Sequence, residues 1–420
     1  MTAHPLASGL TKKILIGLGA GAIFGLLANM VLSDIAFIQT YVIDGLLDVV
    51  GKLFVQGLQM LVVPLVLVSL ICGASSLASP AKLGRLGGKA LGLYLLTTAL
   101  AVTFAMILAL AFSPGAGIAL EAANYTPKEA PGIKEVILNL VPKNPVAALA
   151  EGKMLAIIIF AILFGVAITM AGDAGKRVRD WFGDMNEVIM SLVVMVMKVA
   201  PYGVFALIAG LFAKLGWEAF QPVLKYFFVV LGGLLIHLFV TYPALLKGLT
   251  GLNPMLWLRK MRNVQIFAFS TASSNATIPV TLRAVEERLG ANNSVASFTV
   301  PLGATINMDG TAIMQGVATV FIAQAYGFDL SVMQLVTVVL MATMASIGTA
   351  GVPGVGLIML TTVLVQVGLP VEGIGLILGI DRVLDMVRTA VNVSGDAMVT
   401  TVVANSEGEL DRELYNNPDT

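Results

Sequence analysis

Over the first 250 residues the chain alternates long apolar runs with short basic clusters. The runs lie near 13–32, 43–78, 89–113, 154–171, 185–213 and 220–247. A hydrocarbon core about 30 Å thick needs about 20 apolar residues in helical form, so each run predicts a membrane-crossing helix. The second is long and carries Pro64 and Gly73, which predicts a tilted or kinked helix. Lys12/Lys13, Lys82/Arg85/Lys89, Lys176/Arg177/Arg179 and the cluster from Lys247 to Arg262 precede the first run or follow the second, fourth and sixth. By the positive-inside rule those clusters and the N-terminus face the cytoplasm. The segment 114–153, which mixes acidic and basic residues without bias, then lies outside.

Beyond the sixth run the pattern changes. Residues 263–282, NVQIFAFSTASSNATIPVTL, have Arg259, Lys260 and Arg262 before them and Arg283 and Arg288 after. One crossing would put a basic cluster outside. A re-entrant hairpin keeps both inside and carries the polar tip 273–277 to membrane depth, where irregular backbone must be buried in protein or line a cavity. An ordinary span with packed Ser and Thr is the alternative. The next run is interrupted by Asn307, Asp309, Gly310 and Thr311, and 331–368 has ASIGTAGVPGVG at its middle. Gly348, Gly351, Pro353, Gly354 and Gly356 break a helix there, predicting a second hairpin from the opposite face. Two opposed hairpins and two polar-interrupted spans suggest an inverted repeat, the arrangement that places a transporter's binding site. SEGELDRELYNNPDT reads as a short, mobile cytoplasmic tail.

The last apolar region holds DRVLDMVRTAVNVSGD, residues 381–396. At about 100° per residue Asp381, Asp385, Arg388, Asn392 and Asp396 share an arc of roughly 80°. Ionisable groups at membrane depth cost at least ~2.5–3.5 kcal/mol each, so they face protein or a wet cavity and need partners. A structural ion-pair seam is the plainer reading of such a stripe, but carboxylates outnumber arginine and favour a polar site.

Composition agrees. The 420 residues are 57% hydrophobic and only 12% charged, against about 25% charged in soluble domains, which makes this a polytopic membrane protein. Mean hydropathy is +0.91. Formal net charge is zero, which gives no footing for nucleic acid. Cys72 is the only cysteine, so no internal disulfide forms, and 43 glycines suit close helix packing. His4 lies near the terminus and His237 stands alone in LLIHLFV, where packing is the plainer role. No metal or haem ligand pattern is present, so nothing in the residues reads as an enzyme.

NMDGT at 307–311, the Ser-rich tip at 273–277, SIGTAGVPG at 346–354 and D-x-x-R-T-x-x-N-V-x-G-D at 385–396 resemble the dicarboxylate/amino acid:cation symporters, the glutamate transporter family. MLVVPLVLVSL near 60, NPVAALAEG near 144 and APYGVFALIAG near 200 extend the resemblance over nearly the whole chain. It implies an all-α membrane protein with eight transmembrane helices, two re-entrant hairpins and an elevator-type transporter fold. It implies a homotrimer in the cell membrane with both termini cytoplasmic. A scaffold would comprise 1–80 (spans one and two) and 130–215 (four and five). A transport domain would comprise 81–129 (span three) and 216–404, with 405–420 as tail. The second hairpin would act as the gate.

The resemblance also carries residue roles. Asp385 would receive the substrate's α-ammonium, and Arg388 its side-chain carboxylate, which suits the planar fork of a guanidinium. Asn392 and the backbone around Ser273 and Ser274 would take the α-carboxylate, with Thr311, Thr389, Gly356 and the Gly351–Val352 backbone lining the pocket. Na⁺ is the implied coupling ion, with no other cofactor. Asp396 with carbonyls of Gly303, Asn307 and Asn392 resembles one sodium site. Carbonyls of Thr305, Ser346, Ile347 and Thr349 resemble a second. Asp309, Asn307, Thr97, Thr98 and the Tyr94 carbonyl resemble a third, all oxygen donors as a hard cation requires. The chain departs from relatives at Ala272, where some carry Arg, and Arg382 offers an equivalent charge. Gln315 stands where neurotransmitter transporters have a Glu linked to proton coupling, and an amide cannot titrate.

The expected activity is uptake of aspartate or glutamate driven by Na⁺. C4-dicarboxylate transport and proton coupling are rivals within the family. An ion channel, or a quinone- or lipid-handling membrane enzyme, is the rival outside it. Asp385 would repel a substrate lacking the amino group, and a neutral amino acid would leave Arg388 buried without its carboxylate.

Overall fold

The computed structural model describes residues 6–32, 35–75, 80–118, 141–347, 349, 351 and 353–418, and among them nearly all ordered structure is helical. Most of the external segment, and the expected boundary between 129 and 130, lie outside the described residues. Helix α1 spans Leu6–Val31. A π-helical stretch, Ile38–Leu47, leads into α2, Asp48–Ser75, which runs on through Pro64 and Gly73. The irregularity of this long span thus sits at its start rather than at the proline. Helix α3 is Pro80–Phe112, α4 the short Pro145–Ala150 and α5 Met154–Met170.

The run expected as one span over 185–213 is two helices, α6 (Gly172–Lys198) and α7 (Ala200–Leu215), bent by 46° at their junction. Pro201 explains the break. It has no N–H to continue α6, but it is well suited to the first turn of a new helix. Gly17, Gly21 and Gly25 form a stripe on α1 that lies on the backbone of α7. A Cβ at these positions would come within 2.5 Å of Pro201 O, 2.7 Å of Phe205 O and 2.5 Å of Ala209 O. Such stripes let helix backbones approach where lipid offers no hydrophobic drive.

Helix α8 is Phe220–Ile236 and α9 Tyr242–Thr250, joined by a π-helical turn, His237–Thr241. The first hairpin is α10 (Pro254–Thr271) and α11 (Ser274–Glu287). Its tip is shorter than the expected 273–277. Ala272 turns the chain at φ +49°, Ser273 caps the next helix by accepting from Ala276 N, and Ser274 to Thr277 already form its first turn. The interrupted span is α12 (Asn293–Ile306) and α13 (Asp309–Ala325), separated by Asn307 and Met308 in non-helical conformations. The second hairpin is α14 (Val332–Ser346) and α15 (Val355–Val367), with Gly354 at φ +84° ending its tip. Helix α16 is Asp381–Glu407, running past the expected boundary at 404.

Ile38–Cys72, Arg85–Phe112 and Gln221–Thr250 are long and apolar enough to cross a membrane, and the bent pair α6–α7 makes a fourth by the same measure. Ile16–Val31, Ala156–Met170, Val332–Ser346 and Val355–Val367 are apolar but shorter stretches.

The tail corrects the expectation of a mobile segment. It returns as α17, Arg412–Asn416, with Tyr415 fully buried and its hydroxyl donating to Asn253 O at 2.8 Å. Lys260 Nζ donates to the carbonyls of Arg288, Leu414 and Tyr415, each at 2.8 Å. Asn292 N donates to Glu409 O, and Asp411 N to Gly290 O, so the tail straps the base of the first hairpin. One aromatic side chain and the carbonyls it carries to Lys260 outweigh the polar composition. Tyr415→Ala is expected to cost about 2–4 kcal/mol of docking free energy. Limited proteolysis reads it: the variant loses its tail at protease levels that leave the parent intact. Equal resistance would show the strap to be dispensable.

Candidate functional site

Helix α16 brings the sequence stripe together. Arg388 is fully buried, and its Nη1 donates to Asp381 Oδ1 at 2.5 Å. Nη2 reaches Asp381 Oδ2 at 3.2 Å and Asp385 Oδ1 at 2.8 Å. Nε remains a buried donor with no hydrogen-bond partner among the described residues. Asp385 Oδ2 accepts from Arg382 Nη1 at 3.3 Å and from the backbone N–H of Gly354 at 3.2 Å. Two arginines and two aspartates therefore form one neutral, largely buried group at the start of α16.

Helix α13 crosses α16 at close range because Gly310 has no side chain. A Cβ there would lie 2.6 Å from Arg388 O, and its N–H donates to Asn392 Oδ1 at 2.8 Å. Gly356 at the start of α15 allows the same approach from the second hairpin. A Cβ would meet Thr311 Cγ2 at 3.0 Å and Arg388 Nη2 at 3.4 Å. The hairpin tips touch each other. Ser273 Oγ donates to Gly351 O at 2.7 Å, and Asn275 N to the same carbonyl at 3.2 Å. Ser274 is buried beside them, while the Thr389 hydroxyl is spent on Asp385 O within its own helix. Val352 lies outside the described residues.

A second polar centre lies where α3, α9, α12, α13 and α16 meet. Asn307 Nδ2 donates to Asp396 Oδ1 at 2.9 Å and to Asn392 O at 3.2 Å, and Gly303 sits directly on that carboxylate. Asn307 Oδ1 is buried with no hydrogen-bond partner among the described residues. Thr98 Oγ1 is 2.5 Å from Asp309 Oδ1, and the hydroxyls of Thr97 and Thr98 both lie on the Tyr94 carbonyl. Asn307 thus contacts Asn392 and Asp396 of the first expected cation group, and Thr98 joins Asp309 to the Tyr94 carbonyl in the third. Of the second, Ser346 Oγ donates to Ile306 O at 3.0 Å, which places the end of α14 next to Thr305. Ile347 and Thr349 are buried nearby, with the Thr349 hydroxyl turned back on Ala345 O. The donor set is oxygen throughout, and the orphan Asn307 oxygen suits a hard cation.

Several partners have no counterpart among the residues expected from sequence. Asp381 sits in the stripe, and the resemblance gives it no role, yet it holds two of the guanidinium's nitrogens. Tyr242 OH donates to Asp309 Oδ2 at 2.8 Å, and His237 Nε2 lies 3.1 Å from the same oxygen. His237 does pack, against the Tyr242 ring, but it also touches the carboxylate. Its only signal in sequence is being a polar residue in an apolar run. Both amide atoms of Gln315 are buried without a partner among the described residues.

The model of the sodium:dicarboxylate symporter family matches residues 10–406. The chain is 35% identical over 415 residues to the proton/sodium-glutamate symport protein of Bacillus caldotenax, covering 96% of each. It is 36% identical over 393 residues to the proton/glutamate-aspartate symporter of Escherichia coli (strain K12), covering 89% of this chain and 88% of that protein. A third relative, the C4-dicarboxylate transport protein of Bacillus subtilis (strain 168), is 33% identical over 371 residues, covering 86% and 87%.

Proposed function

The chain belongs to the sodium:dicarboxylate symporter family, a family of membrane-embedded transporters rather than enzymes, and from that membership we propose that it takes up aspartate or glutamate together with Na⁺. The observation that carries the substrate is Arg388, a buried guanidinium whose Nε–H has no partner among the described residues, next to a second carboxylate, Asp385. A substrate with one ammonium and two carboxylates complements that pair. The ammonium goes to Asp385, the side-chain carboxylate to Arg388, and the α-carboxylate to Asn392 and the first-hairpin tip at Ser273–Ser274. Thr311, Thr389, Gly351, Val352 and Gly356 line the pocket.

Na⁺ travels as co-substrate. Asp396, Gly303, Asn307 and Asn392 hold one ion; Thr305, Ser346, Ile347 and Thr349 another; Asp309, Asn307, Thr97, Thr98 and Tyr94 a third. The Asn307 oxygen, buried without a hydrogen-bond partner among the described residues, supports this reading. Proton coupling is the second reading, favoured by the name of the Escherichia coli relative, while that of the Bacillus caldotenax relative gives both proton and sodium.

The carrier works as a homotrimer of independent protomers, each an eight-span elevator with the second hairpin as its gate and both termini cytoplasmic. Packing supports the division into scaffold and transport domain. Helices α1, α2, α4, α5, α6 and α7 pack mainly on one another, and so do α3 and α8 through α16. Few contacts join the groups, chiefly α15 on α2 and the turn Val371–Leu376 on α2 and α7.

Asp385→Asn tests the substrate. Binding of aspartate to purified protein falls by about 10²-fold or more, because an ammonium loses a buried counter-charge, whereas succinate loses under about tenfold. Equal losses for both ligands would remove Asp385 from its assigned role and favour a C4-dicarboxylate carrier.

A further inference from the structure

The carboxylate of Asp385 is already committed on both oxygens. Oδ1 holds Arg388, and Oδ2 holds both Arg382 and the Gly354 N–H of the second hairpin. A substrate ammonium arriving there must take one of those places. Arg388 is the poor candidate to yield: it is buried, and its second nitrogen is fixed on Asp381. Arg382 is the good one. Its contact with Asp385 is longer than that of Arg388, 3.3 Å against 2.8 Å, and its side chain keeps 13% of its surface exposed where that of Arg388 keeps 1%. A cation that leaves this position exposes the carboxylate to the incoming ammonium, and one that returns re-forms the neutral group of two arginines and two aspartates.

We propose that Arg382 is an internal stand-in for the substrate's ammonium, competing with it for Asp385 and neutralising the binding site whenever no substrate is bound. The inference rests on reading Asp385 as the ammonium's partner. Arg382 then sets two properties. It lowers apparent affinity, since each binding event must displace it, the penalty expected when the competent state is only a fraction of the whole. It also speeds return of the unloaded carrier. Without Arg382, Arg388 is the one cation bonded to Asp381 and Asp385 among the described residues, and a net buried negative charge must cross the membrane. Arg382 is a positioning residue, because it acts through Asp385. The same oxygen binds the Gly354 N–H, so the gate tip rests on one carboxylate that holds either cation.

The experiment compares the parent with Arg382→Gln, Arg382→Lys and Asp385→Asn, using purified protein for calorimetric binding of aspartate at saturating Na⁺ and liposomes for flux. In Arg382→Gln the aspartate Kd falls by about fivefold, while net uptake drops at least about threefold relative to aspartate–aspartate exchange across the same membrane. Arg382→Lys, which keeps the charge, stays near the parent in both. A residue that only braces the fold would weaken binding, not tighten it, and would lower exchange and net uptake together. An unchanged or higher Kd in Arg382→Gln overturns the proposal, and so does an equal gain in Arg382→Lys. Asp385→Asn separates the two levels. If it still binds aspartate like the parent, the ammonium assignment fails and the proposal falls with it. If it loses aspartate while Arg382→Gln is neutral, only the stand-in fails.

Discussion

Arg388→Ala abolishes high-affinity binding of aspartate and glutamate. Breaking a buried ion pair typically costs about 3–5 kcal/mol, which corresponds to about 10²-fold or more in affinity. Arg388 holds Asp381 through two nitrogens and Asp385 through one, so its loss leaves two carboxylates with Arg382 as the one neighbouring arginine among the described residues. The variant is therefore expected to be less stable, and thermal unfolding must accompany the binding data. Serine distinguishes a lost anchor from a lost fold. Its ammonium still finds Asp385, and its small side chain asks nothing of position 388, so the folded variant binds serine better than the parent does. Aspartate binding within about tenfold of the parent, a loss under ~1.4 kcal/mol, would mean that Arg388 does not anchor the side-chain carboxylate.

The second large effect is on the ions. Asp396 is buried, pressed against Gly303 and bonded to Asn307 Nδ2. Asn at this position keeps the shape and an acceptor oxygen for Asn307 but removes the charge. Asp396→Asn is expected to raise the Na⁺ concentration for half-maximal aspartate binding by about tenfold or more while leaving unfolding temperature nearly unchanged. Linkage makes the measurement reciprocal: where Na⁺ no longer tightens the substrate, the substrate no longer tightens Na⁺. A parent-like Na⁺ dependence in the variant would take Asp396 out of the ion path.

Much of the site is legible in the amino-acid sequence, for physical reasons that differ by element. The stripe on α16 follows from helical spacing alone, because a helix fixes the direction of each side chain to within its rotamers. The hairpin break at 347–354 is written in glycine and proline, which no helix interior tolerates cheaply. Contacts between distant segments are not written in this way. His237 and Tyr242 reach Asp309 only because α8 packs on α13 and leads into the π-helical turn at 237–241, which sets the rotation of Tyr242. Local pattern does not specify that rotation. Tyr415 looks like part of a polar tail until its pocket near Asn253 and Lys260 exists. The bend at Val199 is hidden because an apolar run looks the same whether straight or broken, and its one local signal is Pro201, which suits a first turn but not a helix interior.

The coupling ion is the point on which the account depends most. Purified protein in liposomes, loaded and diluted so that one gradient at a time points inward, measures it directly. An inward Na⁺ gradient at equal pH on both sides drives concentrative uptake of aspartate or glutamate, saturable and indifferent to a protonophore. Uptake that follows an inward proton gradient and ignores Na⁺ would contradict the Na⁺-coupled account.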